Sequence, residues 1–249
     1  MNGSYVKEAE DVVITEVNAN ALNNVTVTLF KNNQTITLVE GTDYEVSKSG
    51  GDGSWYQYVY TIYKKNFTDD GVYRLSIHSE DDAGNVAENT LDTKGTEINF
   101  GVDKTIPNAV VTNIENGETY AVENITVKLL AEDNLVLASV VVYLDDYSKV
   151  YASWNAEQIA EILAANGEFT FDISGDSTNA HNLKIVCTDA AGNEYETEVE
   201  KFYVTTNKWV NYYNNKPLFY GTIIGVLVLI SGIVLIIVLK RRKKEKKAA

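Results

Sequence analysis

Residues Tyr73–Asn85 read YRLSIHSEDDAGN, and the pattern returns at His181–Asn193 as HNLKIVCTDAAGN. In both segments apolar residues alternate with polar ones, which is the period of a β-strand with one face packed and one face in water. Each segment ends in Ala-Gly-Asn. Because glycine readily adopts a positive φ and asparagine tolerates it, we expect a hairpin turn there. The repeat therefore predicts two copies of one antiparallel β unit.

A second similarity lies upstream, where Asn24–Leu29 reads NVTVTL and Asn124–Leu129 reads NITVKL. We interpret these segments as equivalent strands of the two copies. Repeats of about 100 residues form whole domains rather than units of a solenoid. Polarity also alternates along Tyr56–Ile62. Several short strands at this spacing predict an all-β fold with two tandem antiparallel sandwiches.

One stretch departs from the strand pattern. Ile159 and Ile162 recur at helical spacing, and Ser153 is placed to cap the start of a helix. We therefore predict a short helix within Trp154–Asn166, in place of an edge strand of the second domain.

The C-terminal part of the chain has the composition of a membrane anchor. Leu218–Leu239 is an uncharged apolar run that would be about 33 Å long as a helix, enough to cross a bilayer. The basic residues that follow it are Lys240, Arg241, Arg242, Lys243 and Lys244. Because basic flanks stay cytoplasmic, the sequence predicts a single-pass cell-membrane protein with an extracellular N terminus and a cytoplasmic C terminus.

Two prolines mark the boundaries between units, Pro107 after the first copy and Pro217 before the apolar run. The aromatic residues near Pro217 suit a membrane–water interface. The predicted organisation is a leader or truncation scar at 1–4, a first sandwich at 5–103, a second at 104–205, a juxtamembrane stalk at 206–217, a transmembrane helix at 218–239 and a basic cytoplasmic tail at 240–249.

The first residues are polar and charged and contain no apolar signal-peptide core. One interpretation is that the C-terminal helix serves as its own insertion signal. We favour the other, that the sequence is the C-terminal piece of a longer surface protein.

Composition excludes several classes of function. The net charge is −14 although the tail is basic, so the remainder is strongly acidic and unsuited to nucleic acid. With a single cysteine the chain has no intrachain disulfide, and we expect Cys187 to be a buried strand thiol.

The segment Asp69–Leu75, DDGVYRL, resembles the immunoglobulin D-x-G-x-Y-x-C signature, with Leu75 in the cysteine position. The resemblance implies Ig-like sandwiches and gives Asp69, Gly71 and Tyr73 structural roles. In that family the tyrosine hydroxyl bonds upstream backbone, forming a tyrosine corner. His181 holds the position of Tyr73 in the second copy.

The D-x-A-G-N turns and the linker Val102–Pro107, VDKTIP, together with the missing disulfides, resemble bacterial Ig-like repeats of Gram-positive cell-surface proteins. The resemblance implies a stalk, spacer or binding module and covers roughly 5–205. The turn residues to which it gives structural roles are Gly84, Asn85, Gly192 and Asn193.

Catalytic and metal-binding motifs are missing from the sequence. The chain has two histidines, one in each copy, and none of the metalloprotease, thiol–disulfide or phosphate-loop patterns. Paired aspartates are interpreted as solvated turn residues rather than calcium ligands. We therefore predict no enzymatic activity, no cofactor and no metal.

The sequence leaves three functions open. We favour a non-enzymatic, membrane-anchored extracellular stalk at the base of a bacterial surface protein. The first alternative is an adhesive or carbohydrate-binding module that takes a glycan or host surface protein through Trp55, Tyr56 and Tyr58. The second is the C-terminal fragment of a large surface enzyme with its catalytic domain upstream. Gly221 and Gly225 form a G-x-x-x-G pair that is a candidate for weak helix-mediated dimerisation.

Overall fold

The computed structural model describes residues 1–89, 97–175 and 178–248, with side chains described as far as Lys244. Within these ranges the chain forms two β-sandwiches, of which the second includes a short helix, and two helices follow them. The predicted all-β class with one long C-terminal helix is therefore confirmed.

The first sandwich packs a larger sheet against a smaller one. In the described residues the larger sheet has the order β1-β9-β7-β3-β4, with β8 also beside β7, and the smaller has the order β2-β6-β5. The strands are β1 (Tyr5–Val6), β2 (Val12–Asn18), β3 (Leu22–Lys31), β4 (Gln34–Thr37), β5 (Tyr44–Ser49), β6 (Tyr56–Ile62), β7 (Gly71–Asp81), β8 (Val86–Glu88) and β9 (Ile98–Val102), and a 3-10 turn spans Lys64–Asn66.

The second sandwich repeats this plan. Its larger sheet has the order β11-β17-β16-β13-β14 and its smaller sheet the order β10-β12-β15. The elements are β10 (Asn108–Val111), β11 (Thr119–Tyr120), β12 (Asn124–Glu132), β13 (Leu137–Leu144), β14 (Val150–Asn155), α1 (Ala156–Ala165), β15 (Glu168–Ser174), β16 (His181–Asp189) and β17 (Glu194–Val204).

Both sandwiches have the Ig arrangement, in which crossovers between two packed sheets bring distant strands together. The strands that carry the repeated segment, β7 and β16, are central in their larger sheets. The strand β7 pairs with β3 and β9, and β16 pairs with β13 and β17. The repeated segment therefore marks the same strand in each domain.

The second sequence similarity is wrong as a structural equivalence. Asn24–Leu29 lies in β3, which pairs with β7 in the larger sheet. Asn124–Leu129 lies in β12, which pairs with β10 and β15 in the smaller sheet. The counterpart of β3 is β13. Alternating Val and Thr residues are expected in any strand with one buried face. The pattern therefore does not predict to which sheet the strand belongs.

The predicted helix in the second domain is confirmed as α1, at the point of the chain where the first domain has β5. Its N-cap is Asn155, the last residue of β14, rather than Ser153, which lies two residues before the end of that strand. The Asn155 side chain accepts from the Gln158 amide and the Gln158 side chain accepts from the Asn155 amide, both at 3.0 Å. This capping box satisfies donors that the first turn would otherwise leave unpaired.

Each sandwich has its own hydrophobic core. In the first, the ring of Tyr73 lies 5.4 Å from that of Phe67 and 5.6 Å from that of Phe100. In the second, Leu183 and Ile185 of β16 are buried at the positions that Leu75 and Ile77 hold in β7. Burial of each such side chain contributes about 1.5–3 kcal/mol, so each domain has a source of stability of its own.

In each sandwich the last strand runs parallel to a short strand near the start of the domain, which is the first strand in the first sandwich and the second strand in the second. In the first, β1 pairs with β9, and the Gly101 amide donates to the Ser4 carbonyl at 2.9 Å. A Cβ on Gly101 would lie 2.1 Å from the Tyr5 ring, so the close approach requires glycine. In the second, β11 pairs with β17, and the Tyr203 amide donates to the Glu118 carbonyl at 2.8 Å.

Two helices follow the second sandwich. The short helix α2 (Lys208–Asn214) lies within the predicted stalk, and α3 (Lys216–Ala248) extends beyond both ends of the predicted 218–239 segment. Pro217 lies in the first turn of α3, where its missing N–H costs no hydrogen bond. The apolar part of α3 is unburied, and the helix is long and apolar enough to cross a membrane.

Candidate functional site at the interdomain junction

The junction between the sandwiches is formed by the linker after β9, which is fixed to the first sandwich by Asp70. The Asp70 carboxylate accepts from the Lys104 amide at 2.9 Å and from the Thr105 hydroxyl at 2.6 Å. The Asp103 amide donates to the Val6 carbonyl at 3.0 Å. The backbone leaving the first domain is therefore held in one path.

The second sandwich contacts the same linker through its β16–β17 turn. The Asn193 side-chain amide contacts the carbonyl oxygens of Asp103 at 2.9 Å and Thr105 at 3.2 Å. Gly192 has a φ of 86°, which lets the turn close and place Asn193 against the linker. The Asn134 side-chain amide also donates to Asp70 at 3.3 Å. The linker is thus hydrogen-bonded by both domains.

Three carboxylates converge at this junction. They belong to Asp103 of the linker, Asp133 of the β12–β13 loop and Asp189 at the end of β16, and one oxygen from each lies within 4.8 Å of the others. Asp103 is 1% exposed and Asp189 is 2% exposed, whereas Asp133 is partly exposed. These are the residues of the described chain that are placed to hold a metal ion.

The three acidic side chains of the cluster lie close together, and two of them are buried. Burial, followed by the charges of Asp133 and Asp189, raises the pKa of Asp103 to about 6. The Thr105 amide opposes this increase by donating to Asp103 Oδ1 at 3.2 Å. A carboxyl group with a raised pKa binds its proton more readily, or needs a positive partner to stay charged.

The counterpart of Asp189 in the first sandwich is Asp81. Each accepts hydrogen bonds from the asparagine of its own turn, Asn193 for Asp189 and Asn85 for Asp81, but their other neighbours differ. Asp81 accepts hydrogen bonds from the side chains of Asn85 and Asn20, each at 2.9 Å, and from the Ala83 amide. Hydrogen bonds from Asn85 and Asn20 are the main reason that the pKa of Asp81 falls to about 2. Asn20 lies in the β2–β3 loop, which corresponds to the loop that holds Asp133. The first domain therefore places an amide where the second has a carboxylate.

The residues of the immunoglobulin signature lie at the start of β7. Tyr73 is fully buried and its hydroxyl donates to the Asp69 carbonyl at 2.6 Å, which is the geometry of a tyrosine corner. A Cβ on Gly71 would lie 2.9 Å from Asn32 Nδ2, so this position is tightly enclosed. The remaining predicted turn residues, Gly84 and Asn85, form the β7–β8 turn.

In the second sandwich His181 takes the place of Tyr73. Its ring lies 5.6 Å from that of Phe202, and its Nδ1 lies 2.8 Å from Asp145 Oδ2. The bond therefore runs to the β13–β14 turn instead of to the backbone just upstream. Both domains therefore bury an aromatic ring at this corner, but the hydrogen-bond partner of the ring's polar atom differs between them.

The three aromatic residues predicted to bind a ligand do not form one exposed surface. Tyr58 is only 6% exposed, and its hydroxyl accepts from the Leu22 amide at 2.9 Å, so it belongs to the core. Tyr56 is partly buried beneath Lys48, whose Nζ lies 4.5 Å from the ring centroid. Trp55 is 64% exposed and borders an open pocket that Asp52 and Asp82 also line.

The nucleophilic and imidazole side chains lie apart. Cys187 is fully buried in β16, and burial raises the pKa of its thiol to about 12, so it has the character of a structural thiol. His78 lies on the first sandwich with its Nδ1 3.3 Å from Glu88, whereas His181 is in the second. The structure does not bring these three residues together.

The predicted membrane residues all lie on α3. Gly221 and Gly225 are exposed, and a Cβ on either would contact nothing within 4 Å. Lys240, Arg241, Arg242, Lys243 and Lys244 continue the same helix beyond the apolar run. The structure of Ala249, at the end of the predicted tail, lies outside the described residues.

A scan against protein-family models and a search of curated protein sequences gave no match. The solved structures that resemble the chain include a complex of Ig domains and an adhesin. A chain of the Dpr2 Ig1-Ig2 complex with DIP-Theta Ig1-Ig3 matches at 10% identity, covering 81% of this chain and 63% of that one, with a TM-score of 0.41. The Yersinia pseudotuberculosis adhesin InvE matches at 11% identity over 80% and 56%, with a TM-score of 0.25. Latent PorU from Porphyromonas gingivalis matches at 14% identity over 83% and 19%, with a TM-score of 0.28.

The aspartate cluster is the feature that sequence reasoning missed. Asp103, Asp133 and Asp189 are far apart in the chain, and none belongs to the adjacent aspartate pairs that draw attention in the sequence. The sequence did draw attention to two of them, since Asp103 lies in the linker Val102–Pro107 and Asp189 begins a D-x-A-G-N turn.

Proposed function

We propose that the chain is a non-enzymatic, membrane-anchored extracellular stalk at the base of a bacterial surface protein. The observation that carries the proposal is the junction, where Asp70 of the first sandwich and Asn193 of the second bond the same linker. Two sandwiches coupled in this way and followed by an apolar helix form a spacer that holds its far end away from the bilayer.

The orientation of this stalk is part of the proposal. It is supported by the basic residues that follow the apolar part of α3, because such flanks remain on the cytoplasmic side. The acidic remainder of the chain is suited to water and to cations rather than to nucleic acid.

The orientation is tested on intact cells that display the full chain with one epitope at each end. Added protease should remove the N-terminal epitope and spare the one at the tail, with a cytosolic marker protein as the control for cell integrity. Survival of the N-terminal epitope together with loss of the tail epitope would overturn the proposal.

An adhesive or carbohydrate-binding module is the second candidate, favoured by the exposure of Trp55 beside a pocket. Exposed aromatic rings supply much of the contact area in recognition surfaces. A glycan array probed with the full chain tests it. Saturable binding that is lost in Trp55→Ala and kept in Trp209→Ala, another exposed tryptophan, would favour this candidate over a passive stalk.

The expectation of no catalysis is tested on the same protein. Purified chain screened against glycosides, peptides and esters should give no turnover. Turnover that disappears on substitution of a specific pair of carboxylates would overturn the non-enzymatic proposal, since two carboxylates suffice for glycoside hydrolysis.

A further inference from the structure

We propose that Asp103, Asp133 and Asp189 form a calcium site at the joint between the two sandwiches, and that bound Ca²⁺ stiffens this joint. Asp103 belongs to the linker that leaves the first sandwich, whereas Asp133 and Asp189 belong to the second. An ion bound to all three would tie the domains directly, in addition to the hydrogen bonds of Asn193.

The first argument is uncompensated charge. Each ion pair found in the described residues lies elsewhere, and none includes a member of this cluster. The neighbouring Lys104 directs its Nζ to the Thr68 carbonyl at 2.8 Å. Three carboxylates at such short separation repel one another, and burial of two of them strengthens the repulsion.

The second argument is the presence of carboxylate oxygens without donors. Asp103 Oδ2 and Asp133 Oδ1 are enclosed and receive no hydrogen bond. The partner oxygens are occupied, because Asp103 Oδ1 accepts from the Thr105 amide and Asp133 Oδ2 accepts from the Leu135 amide. A buried polar atom without a hydrogen-bond partner costs free energy. Because Asp103 is only 1% exposed and its Oδ2 has no partner, we infer that a ligand binds this oxygen.

The third argument is the fit of the ion. Ca²⁺ is bound by oxygen at 2.3–2.6 Å, so two oxygens on one ion lie no more than about 5 Å apart. The three carboxylate oxygens meet that limit, being within 4.8 Å of one another. Mg²⁺ requires about 2.0–2.1 Å and tighter octahedral spacing, and Zn²⁺ prefers nitrogen and sulfur. An all-oxygen cluster with one partly exposed member, Asp133, therefore favours Ca²⁺, and water would complete the ion's shell.

The first sandwich supplies an internal comparison. There Asp81 accepts from the side chains of Asn85 and Asn20, whereas the corresponding Asp189 accepts from the backbone and the side chain of Asn193. In the second sandwich the matching loop contributes Asp133, and the linker adds Asp103. The carboxylates of Asp133 and Asp103 thus take the place of the Asn20 amide only in the second sandwich, where the two domains meet. The proposed site therefore belongs to the joint and not to the fold of each domain.

The expectation that the site is loaded in the cell envelope rests on the proposed extracellular location, where calcium modules work at about 10⁻⁴–10⁻³ M. The binding test does not depend on that location. Purified full chain in detergent, stripped with chelator, is titrated with CaCl₂ and in parallel with MgCl₂ by calorimetry, and melted with and without each ion.

We expect one Ca²⁺ per chain, a higher melting temperature with calcium, and a smaller effect of magnesium. Asp133→Asn is the informative variant because Asp133 is partly exposed, and it should weaken calcium binding about tenfold or more by removing one charged ligand. Without calcium the same variant should melt at or above the wild type, because one repelling charge is gone. Asp82→Asn, at an exposed site of the first sandwich, should bind calcium as the wild type does.

No saturable calcium binding at millimolar concentration would overturn the proposal. So would unchanged affinity in Asp133→Asn, or equal binding of magnesium. A failure of this kind would leave the stalk proposal standing, because that proposal is decided by the topology experiment on cells.

Discussion

Tyr73 is fully buried in the first sandwich, and both its ring and its hydroxyl have partners there. The ring packs against Phe67 and Phe100, and the hydroxyl donates to the Asp69 carbonyl at 2.6 Å. Replacing Tyr73 by Phe keeps the ring and removes the hydroxyl. It therefore separates the contribution of the hydrogen bond to stability from that of ring packing.

Tyr73→Phe should lower the free energy of unfolding by about 1–3 kcal/mol, because the Asp69 carbonyl loses a short hydrogen bond in a closed environment. Chemical denaturation of the full chain, followed by tyrosine fluorescence, measures the loss. Tyr63→Phe is the matched control, since the Tyr63 hydroxyl reaches Glu45 at 3.2 Å in an exposed position and its removal should cost within about 0.5 kcal/mol. Equal effects of the two changes would contradict a structural role for the Tyr73 hydroxyl.

At this scale, sequence reasoning can group residues when one short segment contains all of them. Asp69, Gly71 and Tyr73 are neighbours in the chain, and the structure keeps them at one corner. It could not assemble Asp103, Asp133 and Asp189, because only the strand crossovers bring the linker, a loop and a turn together. It also placed Tyr58 at the surface. The sequence around a tyrosine looks the same whether its hydroxyl lies in water or accepts from a backbone amide inside the protein.

Among the elements, the β7–β8 turn depends on a charged aspartate. Hydrogen bonds from Asn85 and Asn20 lower the pKa of Asp81 to about 2 in the folded protein, against an ordinary value of 3.8. The folded state therefore favours the charged form. This contribution to stability is complete above pH 4 to 5 and is lost as the pH falls from about 4 toward about 2.

Asp81→Asn should therefore be less stable than the wild type at pH 6, and the difference should shrink as the pH falls through this window. Thermal melts of both proteins between pH 2 and pH 6 test the prediction. Asp82→Asn, at the exposed neighbouring position, should match the wild-type melting temperature at pH 6. A difference between Asp81→Asn and the wild type that stays constant with pH would contradict the argument.

The strands were easier to detect in the sequence than to place in a sheet. Alternation located β7, β9 and β16, but it did not distinguish β12 from β13 as the counterpart of β3. In both candidates buried residues alternate with less buried ones, and pairing partners are chosen by contacts across the sandwich. The short helix α1 was predictable because its apolar residues follow a different period.

At the scale of the whole molecule, the position of one sandwich relative to the other depends on few contacts. Asn193 joins the β16–β17 turn to the linker through Asp103 and Thr105. Asn193→Ala should therefore widen the distribution of distances between the domains and lower the stability of the junction by about 1 kcal/mol for each hydrogen bond lost.

Spin labels at Thr42→Cys and Glu157→Cys, both exposed and in different sandwiches, allow this distribution to be measured by pulsed electron paramagnetic resonance. The native Cys187 is buried and should not react with the label. Asn85→Ala, the counterpart of Asn193 in the first sandwich, is the control and should leave the distribution unchanged. Identical distributions in Asn193→Ala and the wild type would show that the junction does not depend on this side chain.

The parallel pairing of β1 with β9 and of β11 with β17 has a consequence for a chain under tension. A pull that separates β1 from β9, or β11 from β17, along the line of the chain draws the two strands past each other along their own length. The hydrogen bonds between them, such as Gly101 to Ser4 and Tyr203 to Glu118, are then loaded in shear and must break together. A hairpin pulled from its open end would instead lose its hydrogen bonds one at a time, at a lower force. The parallel pairs thus give each sandwich more resistance to extension along the chain than a hairpin at the same position would give.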